Sequence, residues 1–302
     1  MTSWLNQAAT QVLPLAPKSL VRRFASRYIA GETLEDLLDT VRRLNAEGYL
    51  ATVDVLGEFI RDEDEARAAA VAYQAVLSRL AQERLDANIS VKLSQMGLLL
   101  NPALCEAIMG DLVALAAETG NFVRIDMEDS ACTSATIDLY LRLRERHTNV
   151  GIVLQAMLRR SLVDTRRILD AGAGYFRLCK GIYREPRRRA YQDAGVIHKN
   201  YVQLLETMFE GGAYVGIATH HEDLIWEARR LIARYGLNQD QYEFQMLLGV
   251  EPELRTLLLE EGHRVRVYVP FGPQWHAYCM RRLKENPAIF GHLLRNLFQS
   301  SF

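Results

Sequence analysis

Residues 265–285, with the sequence VRVYVPFGPQWHAYCMRRLKE, have the pattern of a strand, a turn and a helix in succession. Residues 265–269 alternate β-branched with longer side chains, as a strand does, and residues 270–273 carry the Pro and Gly signals of a turn. The residues from Tyr278 onward have a helical pattern. A strand followed by a helix is the repeating unit of α/β proteins.

The same alternation of strand and helix occurs eight times between residue 31 and the end of the chain. Short apolar runs rich in β-branched residues predict strands at residues 52–56, 89–93, 122–127, 151–156, 175–179, 214–219, 242–247 and 265–269. Amphipathic stretches predict helices at residues 64–85, 102–119, 131–147, 161–171, 187–210, 221–235 and 252–261, and an eighth helix contains Arg281 and Arg282.

Eight such units in a chain of 302 residues favour a closed (β/α)8 barrel of the TIM type. A doubly wound open sheet is the alternative fold. We expect a single barrel domain at residues 32–302 after an N-terminal extension at residues 1–31. Residues 33–46 form a further predicted helix with its leucines on one face, which we expect to plug or flank the barrel floor. The C-terminal helix is expected over the barrel rim.

The composition excludes several classes of protein. With 49% hydrophobic and 24% charged residues the chain is globular, and its net charge of -1 argues against a nucleic-acid binder. The four cysteines are scattered without a CxxC pair, which argues against a zinc framework and indicates a reducing, cytoplasmic setting. No apolar run approaches the ~18 residues that cross a bilayer.

Residues 1–31 contain four basic residues and no acidic one, which is also the composition of an organellar transit peptide. Pro14 and Pro17 interrupt any long amphipathic helix there, and residues 21–30 have the pattern of a short helix packed on the domain. We therefore expect a structural segment in a cytoplasmic protein, with an organellar matrix location as the alternative.

Polar residues interrupt or end the predicted strands, at the rim where a barrel of this type carries its chemistry. These residues are Lys92, Asp126, Gln155, Arg177, Cys179, Lys180, Thr219, His220, His221, Gln245 and Tyr268. Each has a structural explanation on its own, such as a buried ion pair or a loop histidine. Together, at one rim, they predict a large polar ligand site.

The residue types leave three classes of function open at this rim. HExxH and HxH spacings are missing, so we expect no metal site, and no glycine-rich segment indicates a Rossmann or P-loop nucleotide site. A strand-end lysine, Lys92 or Lys180, would suit a Schiff-base lyase. A noncatalytic amino-acid-binding barrel is the remaining alternative to an oxidoreductase.

The predicted C-terminal helix carries two adjacent cations. Arg281 and Arg282 have Glu285 four and three residues further on, so that one carboxylate can pair with either guanidinium. An ordinary solvated ion pair is the simpler explanation. Beside a strand end, however, two fixed guanidinium groups form a carboxylate clamp.

The strand-end segments of this chain resemble, in order, those of the proline dehydrogenases. The matching segments are VKLS from Val91, RIDME from Arg124, VLQA from Val153, RLCKGIY from Arg177, ATHH from Ala218, EFQMLLG from Glu243, RVYVPFG from Arg266 and YCMRRLKE from Tyr278. The resemblance implies a distorted (β/α)8 barrel with FAD at its carboxyl rim. It also implies oxidation of L-proline to Δ1-pyrroline-5-carboxylate, with electrons passed to a quinone.

The same resemblance implies roles for individual residues. The substrate carboxylate would be bound by Lys92, Arg281 and Arg282, with Glu285 orienting the arginines, and the ring would be enclosed by Tyr183, Leu247, Tyr268 and Tyr278. Asp126 would orient the groups around Tyr268, and Arg177 would stabilise the reduced flavin. FAD contacts would come from Met127, Gln155, Arg177, Cys179, Lys180, Gly181, Ile182, Thr219, His220, His221 and Gln245.

Some positions depart from the family pattern. His221 stands where asparagine is common, Arg184 where an aromatic residue is common, and Ile182 where a smaller residue is usual. The basic run at residues 184–189, REPRRR, has the composition of a solvated loop. Contact with FAD phosphates or with anionic lipid is the alternative, and peripheral membrane contact at the inner face would suit a quinone acceptor.

The resemblance further implies a monofunctional enzyme, because no room remains after the barrel for an aldehyde dehydrogenase domain. A separate pyrroline-5-carboxylate dehydrogenase would then complete the conversion to glutamate.

Overall fold

The computed structural model describes residues 26–57, 60–276 and 278–280, and these residues form an alternating series of helices and strands. The helices are α1 (Leu34–Ala46), α2 (Glu63–Gln82), α3 (Pro102–Glu118), α4 (Thr133–Arg144), α5 (Ser161–Asp170), α6 (Ala194–Glu210), α7 (Glu222–Tyr235) and α8 (Pro252–Glu260). The strands are β1 (Leu50–Val55), β2 (Ala87–Lys92), β3 (Val123–Asp126), β4 (Val150–Gln155), β5 (Tyr175–Cys179), β6 (Tyr214–Ala218), β7 (Tyr242–Leu247) and β8 (Val265–Phe271).

The eight strands close into a parallel barrel in sequence order. Each strand pairs with the next, and β8 pairs with β1, where Thr52 lies opposite Tyr268 and Asp54 opposite Pro270. The predicted (β/α)8 barrel is therefore confirmed, and the alternative of an open doubly wound sheet is wrong. Because side chains alternate along each strand, the register determines which residues share the barrel interior.

Helix α1, which precedes the barrel, confirms the predicted extra helix. Thr33 and Asp36 form a capping box at its start, and Leu37, Leu38, Val41 and Leu44 are buried along one face. This face packs against β1 and β8, the two strands that close the barrel. Helix α1 therefore flanks the barrel at its closure.

Most predicted boundaries differ from the observed ones by up to three residues, and two of the differences have a clear physical reason. Strand β8 continues through Pro270 to Phe271, where the sequence predicted a turn from Pro270. Pro270 has no backbone N–H to donate, but its carbonyl oxygen accepts a hydrogen bond from Ala30 N at 2.9 Å. Helix α6 begins at Ala194 rather than at residue 187, because Asp193 caps it by accepting a hydrogen bond from Val196 N at 2.9 Å.

The lower part of the barrel interior is charged. Glu243 on β7 pairs with Arg266 on β8, with 2.6 Å between Oε1 and Nε, and both side chains are almost completely buried. Arg266 Nη1 also donates to the carbonyl oxygen of Ala51 at 2.7 Å. Burial raises the pKa of Glu243, but the charge and hydrogen bond of Arg266 outweigh it, and the pKa falls to about 2.

A second buried cation in this layer, Arg124, has backbone and aromatic partners. Its Nη1 donates to the carbonyl oxygen of Tyr175 at 2.9 Å, and its guanidinium carbon lies 5.0 Å and 5.3 Å from the ring centroids of Phe122 and Tyr175. Gly151, opposite Arg124 on β4, leaves the space that the guanidinium occupies. Burial and the nearby Arg177 lower the pKa of Arg124 to about 10.

We expect the Glu243→Gln variant to lower the free energy of unfolding by about 3–5 kcal/mol at neutral pH, because Arg266 stays buried without a counter-charge. Glu243 has a folded pKa of about 2 against an ordinary value of 4.5. Its contribution is therefore fully present above pH 4.5 and is lost as the pH falls toward 2. Urea denaturation at a series of pH values measures both effects.

The matched control is Asp138→Asn, which removes an exposed ion pair with Arg167 and should cost less than about 1 kcal/mol. A difference between wild type and Glu243→Gln that stays constant across this pH range would contradict the assignment.

Candidate active site

A cavity of about 1640 Å³ opens at the carboxyl ends of the strands. Every predicted site residue within the described part of the chain lines it: Lys92, Asp126, Met127, Gln155, Arg177, Cys179, Lys180, Gly181, Ile182, Tyr183, Thr219, His220, His221, Gln245, Leu247, Tyr268 and Tyr278. The predicted clamp residues Arg281, Arg282 and Glu285 lie outside the described residues. The barrel thus brings the predicted residues together, while their individual roles stay predictions.

The Asp126 carboxylate on β3 is the centre of a hydrogen-bond network in the upper barrel. Its Oδ1 accepts from Ser90 Oγ at 2.7 Å and from Arg177 Nη1 at 2.6 Å. Its Oδ2 accepts from the Tyr268 hydroxyl at 2.9 Å. Burial and the neighbouring carboxylates Asp126 and Asp54 raise the pKa of Tyr268 well above its ordinary value, so the hydroxyl remains a donor.

Arg177 on β5 crosses the barrel to several strands at once. Its Nε donates to Gln245 Oε1 on β7, its Nη1 also donates to Ser90 Oγ at 2.9 Å, and its guanidinium carbon lies 5.3 Å from the Tyr268 ring centroid. Its Nη2 is buried and has no hydrogen-bond partner among the residues that the structure describes. An unpaired buried donor is costly, so this atom indicates a ligand acceptor.

Lys92 on β2 pairs with Asp54 on β1, a residue that the sequence analysis missed. Lys92 Nζ lies 2.7 Å from Asp54 Oδ1 and 2.8 Å from Oδ2, and both residues line the cavity. Asp54 interrupts an apolar strand as Lys92 and Asp126 do, and it points to the same face as Thr52. The alternation within β1 was the signal that could have identified it.

On the far side of the cavity, Lys180 and His221 approach each other, with 2.6 Å between Nζ and Nε2. Burial lowers the pKa of Lys180, and burial followed by the charges of Lys180 and His198 lowers the pKa of His221. A neutral His221 can therefore accept a hydrogen bond from the lysine. The pair offers positive charge and donors to an anionic ligand.

His198, His221 and Asp223 form the one group of three side chains in the described residues whose donor atoms could share a metal ion. His198 Nδ1 lies 2.7 Å from Asp223 Oδ2, and His221 Nδ1 lies 3.8 Å from Asp223 Oδ1. Lys180 and the amino end of α7 both bring positive charge to this point.

Two further features of the cavity would suit a flavin dinucleotide. Gln155 Oε1, like Arg177 Nη2, is buried without a hydrogen-bond partner among the described residues, so the cavity offers both a donor and an acceptor to a polar heterocycle. Gly181 has φ +99°, and a Cβ there would lie 2.6 Å from Met157 Cγ. Only glycine therefore allows the β5–α6 loop to approach Met157 this closely.

Two of the side chains that were predicted to contact the cofactor, the Cys179 thiol and the His220 imidazole, also interact with the protein itself. Burial raises the pKa of Cys179 to about 11, so its thiol stays protonated. His220 Nε2 accepts a hydrogen bond from Leu247 N at 2.9 Å and so connects the ends of β6 and β7. His220 therefore has a structural role in addition to lining the cavity.

The basic run at residues 184–189 is attached to the barrel at both ends. Glu185 accepts hydrogen bonds from the backbone and hydroxyl of Ser130, both at 2.6 Å, and Arg189 Nη1 donates to the same hydroxyl at 2.8 Å. The side chains of Arg184, Arg187 and Arg188 are exposed.

The helices that the structure describes are too short or too polar to span a membrane.

Known proteins resemble this chain in sequence and in fold. The family model for proline dehydrogenase matches residues 37–294. Proline dehydrogenase 1 of Bacillus subtilis (strain 168) is 34% identical over 275 residues, which are 91% of each chain. Proline dehydrogenase of Deinococcus radiodurans is 34% identical over 270 residues, or 87% of this chain and 86% of that protein.

Among solved structures, proline utilization A from Bdellovibrio bacteriovorus inactivated by N-propargylglycine superposes with a TM-score of 0.82 at 23% identity. The match covers 87% of this chain and 32% of that one, and at this identity it supports the fold alone. The family model and the curated relatives cover most of the sequence. The chain therefore belongs to the proline dehydrogenase family.

Proposed function

We propose that this protein is an FAD-dependent dehydrogenase that oxidises L-proline to Δ1-pyrroline-5-carboxylate, the first step of proline degradation to glutamate. The observation that carries the proposal is one cavity that contains two cations. The Lys92 ammonium is held by Asp54, and the Arg177 guanidinium has one donor without a partner among the described residues. In a chain of this family, the first suits a substrate carboxylate and the second a cofactor.

The substrate carboxylate would bind at Lys92. The Lys92 ammonium lies at the cavity wall, where both carboxylate oxygens of Asp54 on the neighbouring strand bind it. Arg281 and Arg282, held in orientation by Glu285, would complete the clamp. Tyr183, Leu247, Tyr268 and Tyr278 would enclose the ring, and the fixed Tyr268 side chain would leave no room for a ring hydroxyl.

Bound FAD would supply the hydride acceptor, at N5, and would pass its electrons on to a quinone. Arg177 offers Nη2 as a donor and a positive charge, which would stabilise the anionic reduced cofactor. Lys180 and His221 would provide donors suited to phosphate groups. The remaining contacts would come from Gln155, Gln245, Met127, Cys179, Gly181, Ile182, Thr219 and His220.

Hydride loss requires a neutral amine on the substrate. Positive charges at Lys92, Arg281 and Arg282 disfavour the ammonium form of a neighbouring amine and so promote its deprotonation. Both oxygens of Asp126 accept hydrogen bonds from Arg177, Ser90 or Tyr268. Asp126 therefore holds these side chains in place rather than take the amine proton.

The cavity mouth suits a peripheral contact with anionic lipid. Ile182 is 57% exposed, and Arg184, Arg187 and Arg188 are exposed after it in the chain. An apolar side chain beside several cations is a combination that binds to membrane surfaces, where a quinone resides. A cytoplasmic protein at the inner membrane face, with a separate pyrroline-5-carboxylate dehydrogenase downstream, fits this arrangement.

A Schiff-base lyase is the second candidate function, and one observation favours it. Burial lowers the pKa of Lys180, as a nucleophilic lysine requires. Lys92 is a poorer nucleophile, because its nitrogen is held by both oxygens of Asp54.

A visible absorption spectrum of the purified protein distinguishes the candidate functions. We expect a yellow protein whose flavin bands bleach when L-proline is added without oxygen. A colourless protein that does not take up FAD would refute the proposal. Borohydride trapping of Lys180 with a carbonyl substrate would instead support the lyase, and binding of an amino acid without turnover would indicate a noncatalytic barrel.

We expect the Lys92→Met variant to raise the KM for proline, because a charge-assisted bond to the carboxylate is lost. Loss of about 1.5–3 kcal/mol corresponds to a decrease in kcat/KM of about tenfold to about a hundredfold. Steady-state kinetics with an artificial acceptor, normalised to FAD content, measure the change.

The matched control for this variant is Lys199→Met, which removes an exposed lysine on α6 and should leave the KM unaltered. Equal KM values for wild type and Lys92→Met would contradict the proposed role.

A further inference from the structure

The Asp54–Lys92 pair differs from an ordinary buried ion pair in its position. Asp54 is 1% exposed, yet it lines the ligand cavity together with Lys92. Both carboxylate oxygens lie within hydrogen-bond distance of the same ammonium nitrogen. The Tyr73 hydroxyl on α2 lies 3.5 Å from Asp54 Oδ1 and donates to the carbonyl oxygen of Ser90 at 2.8 Å.

The groups that surround Asp54 hold it in place, and Lys92 is its ion-pair partner. Lys92 faces it from β2, Tyr73 from α2, Asp126 from β3 and Tyr268 from β8. Burial, together with the charge of Asp126, raises the pKa of Asp54 above its ordinary value, although the charge of Lys92 opposes this shift. Lys92 is the cation among these neighbours, and the nearby Asp126 is engaged by Arg177. The two carboxylates therefore have separate cationic partners.

Burial alone disfavours the charged form of a lysine, and four rotatable bonds leave its ammonium poorly positioned. A carboxylate that binds the ammonium through two oxygens corrects both defects. Its charge favours the protonated form of the amine. Its two oxygens hold the nitrogen in one place before a ligand arrives, so less side-chain entropy is lost when the ligand binds.

We propose that Asp54 is a positioning residue for substrate binding, which holds Lys92 as an ammonium ion at the cavity wall and sets where it meets a carboxylate ligand. The inference rests on the proposed function, in which Lys92 binds the substrate carboxylate. It adds a residue on β1 to Lys92, Arg281 and Arg282, the proposed clamp residues.

Two ligands of the same shape separate charge recognition from ring recognition. Cyclopentanecarboxylate carries the anionic group on a five-membered ring that cannot be oxidised at a ring nitrogen, and cyclopentanecarboxamide is its neutral counterpart. Isothermal titration calorimetry of the FAD-loaded protein gives the Kd of each ligand between about pH 6 and about pH 9, a range that lies below the ordinary pKa of lysine.

In Asp54→Asn, the buried Lys92 loses its counter-charge and its pKa should fall. The variant should bind the carboxylate within about threefold of wild type at about pH 6, and about tenfold or more weakly at about pH 9, where Lys92 has lost its proton. The Kd of the carboxamide should match that of wild type throughout. Asp54→Glu retains the charge but moves the ammonium, so it should weaken carboxylate binding equally at every pH.

Glu243→Gln is the matched control, because it breaks a buried ion pair of the same barrel one layer below. It should give no new pH dependence of the carboxylate Kd. A merely structural role for Asp54 would weaken both ligands alike at every pH, and that result would overturn the inference. So would an Asp54→Asn variant with the wild-type Kd across the range, or, if that variant fails to fold, an Asp54→Glu variant with wild-type affinity.

The same titrations distinguish this inference from the proposed function. If wild type binds FAD but does not prefer the carboxylate to the carboxamide, the proposed role of Lys92 fails and the inference fails with it. If wild type prefers the carboxylate and Asp54→Asn retains that preference at every pH, only the inference about Asp54 fails.

Discussion

The buried ion pair between Asp126 and Arg177 determines the shape of the upper barrel. Arg177 reaches from β5 to Asp126 on β3, and the same carboxylate accepts hydrogen bonds from Ser90 on β2 and Tyr268 on β8. Arg177 also contacts Gln245 on β7. One ion pair thus connects five of the eight strands. The side chains that line the cavity are fixed before any ligand binds, as a binding site of defined geometry requires.

Charge balance allows such a polar interior to exist. Barrels of this type are usually filled with branched apolar residues, and burying a charge without a partner costs several kcal/mol. Here Asp54 balances Lys92, Asp126 balances Arg177, and Glu243 balances Arg266 one layer below. The charges of the two ion pairs Asp54–Lys92 and Asp126–Arg177 sum to zero, so these pairs give the cavity no net positive charge. On this account, the clamp depends on Arg281 and Arg282 for its net positive charge.

The sequence was sufficient to predict the barrel and the set of residues at its rim, because strand period and strand order determine which side chains share a face. It failed at Asp54, since Lys92 was considered without the polar residue that the neighbouring strand β1 brings within hydrogen-bond distance of it. It also placed the start of α6 too early, because the charged residues after Pro186 continue a helical pattern until Asp193 provides the cap. The lack of a partner for Arg177 Nη2 among the described residues and the contact between Lys180 and His221 depend on side-chain rotamers, which no local sequence pattern encodes.

The central claim is that one barrel rim binds the cofactor at Arg177 and the substrate carboxylate at Lys92. A crystal structure of the FAD-loaded protein with cyclopentanecarboxylate tests it most directly. We predict the ligand carboxylate within ion-pair distance of Lys92 Nζ, with Asp54 still bound to that nitrogen, and a flavin atom accepting a hydrogen bond from Arg177 Nη2. A carboxylate bound away from Lys92, or an Arg177 side chain without contact to FAD, would contradict the account.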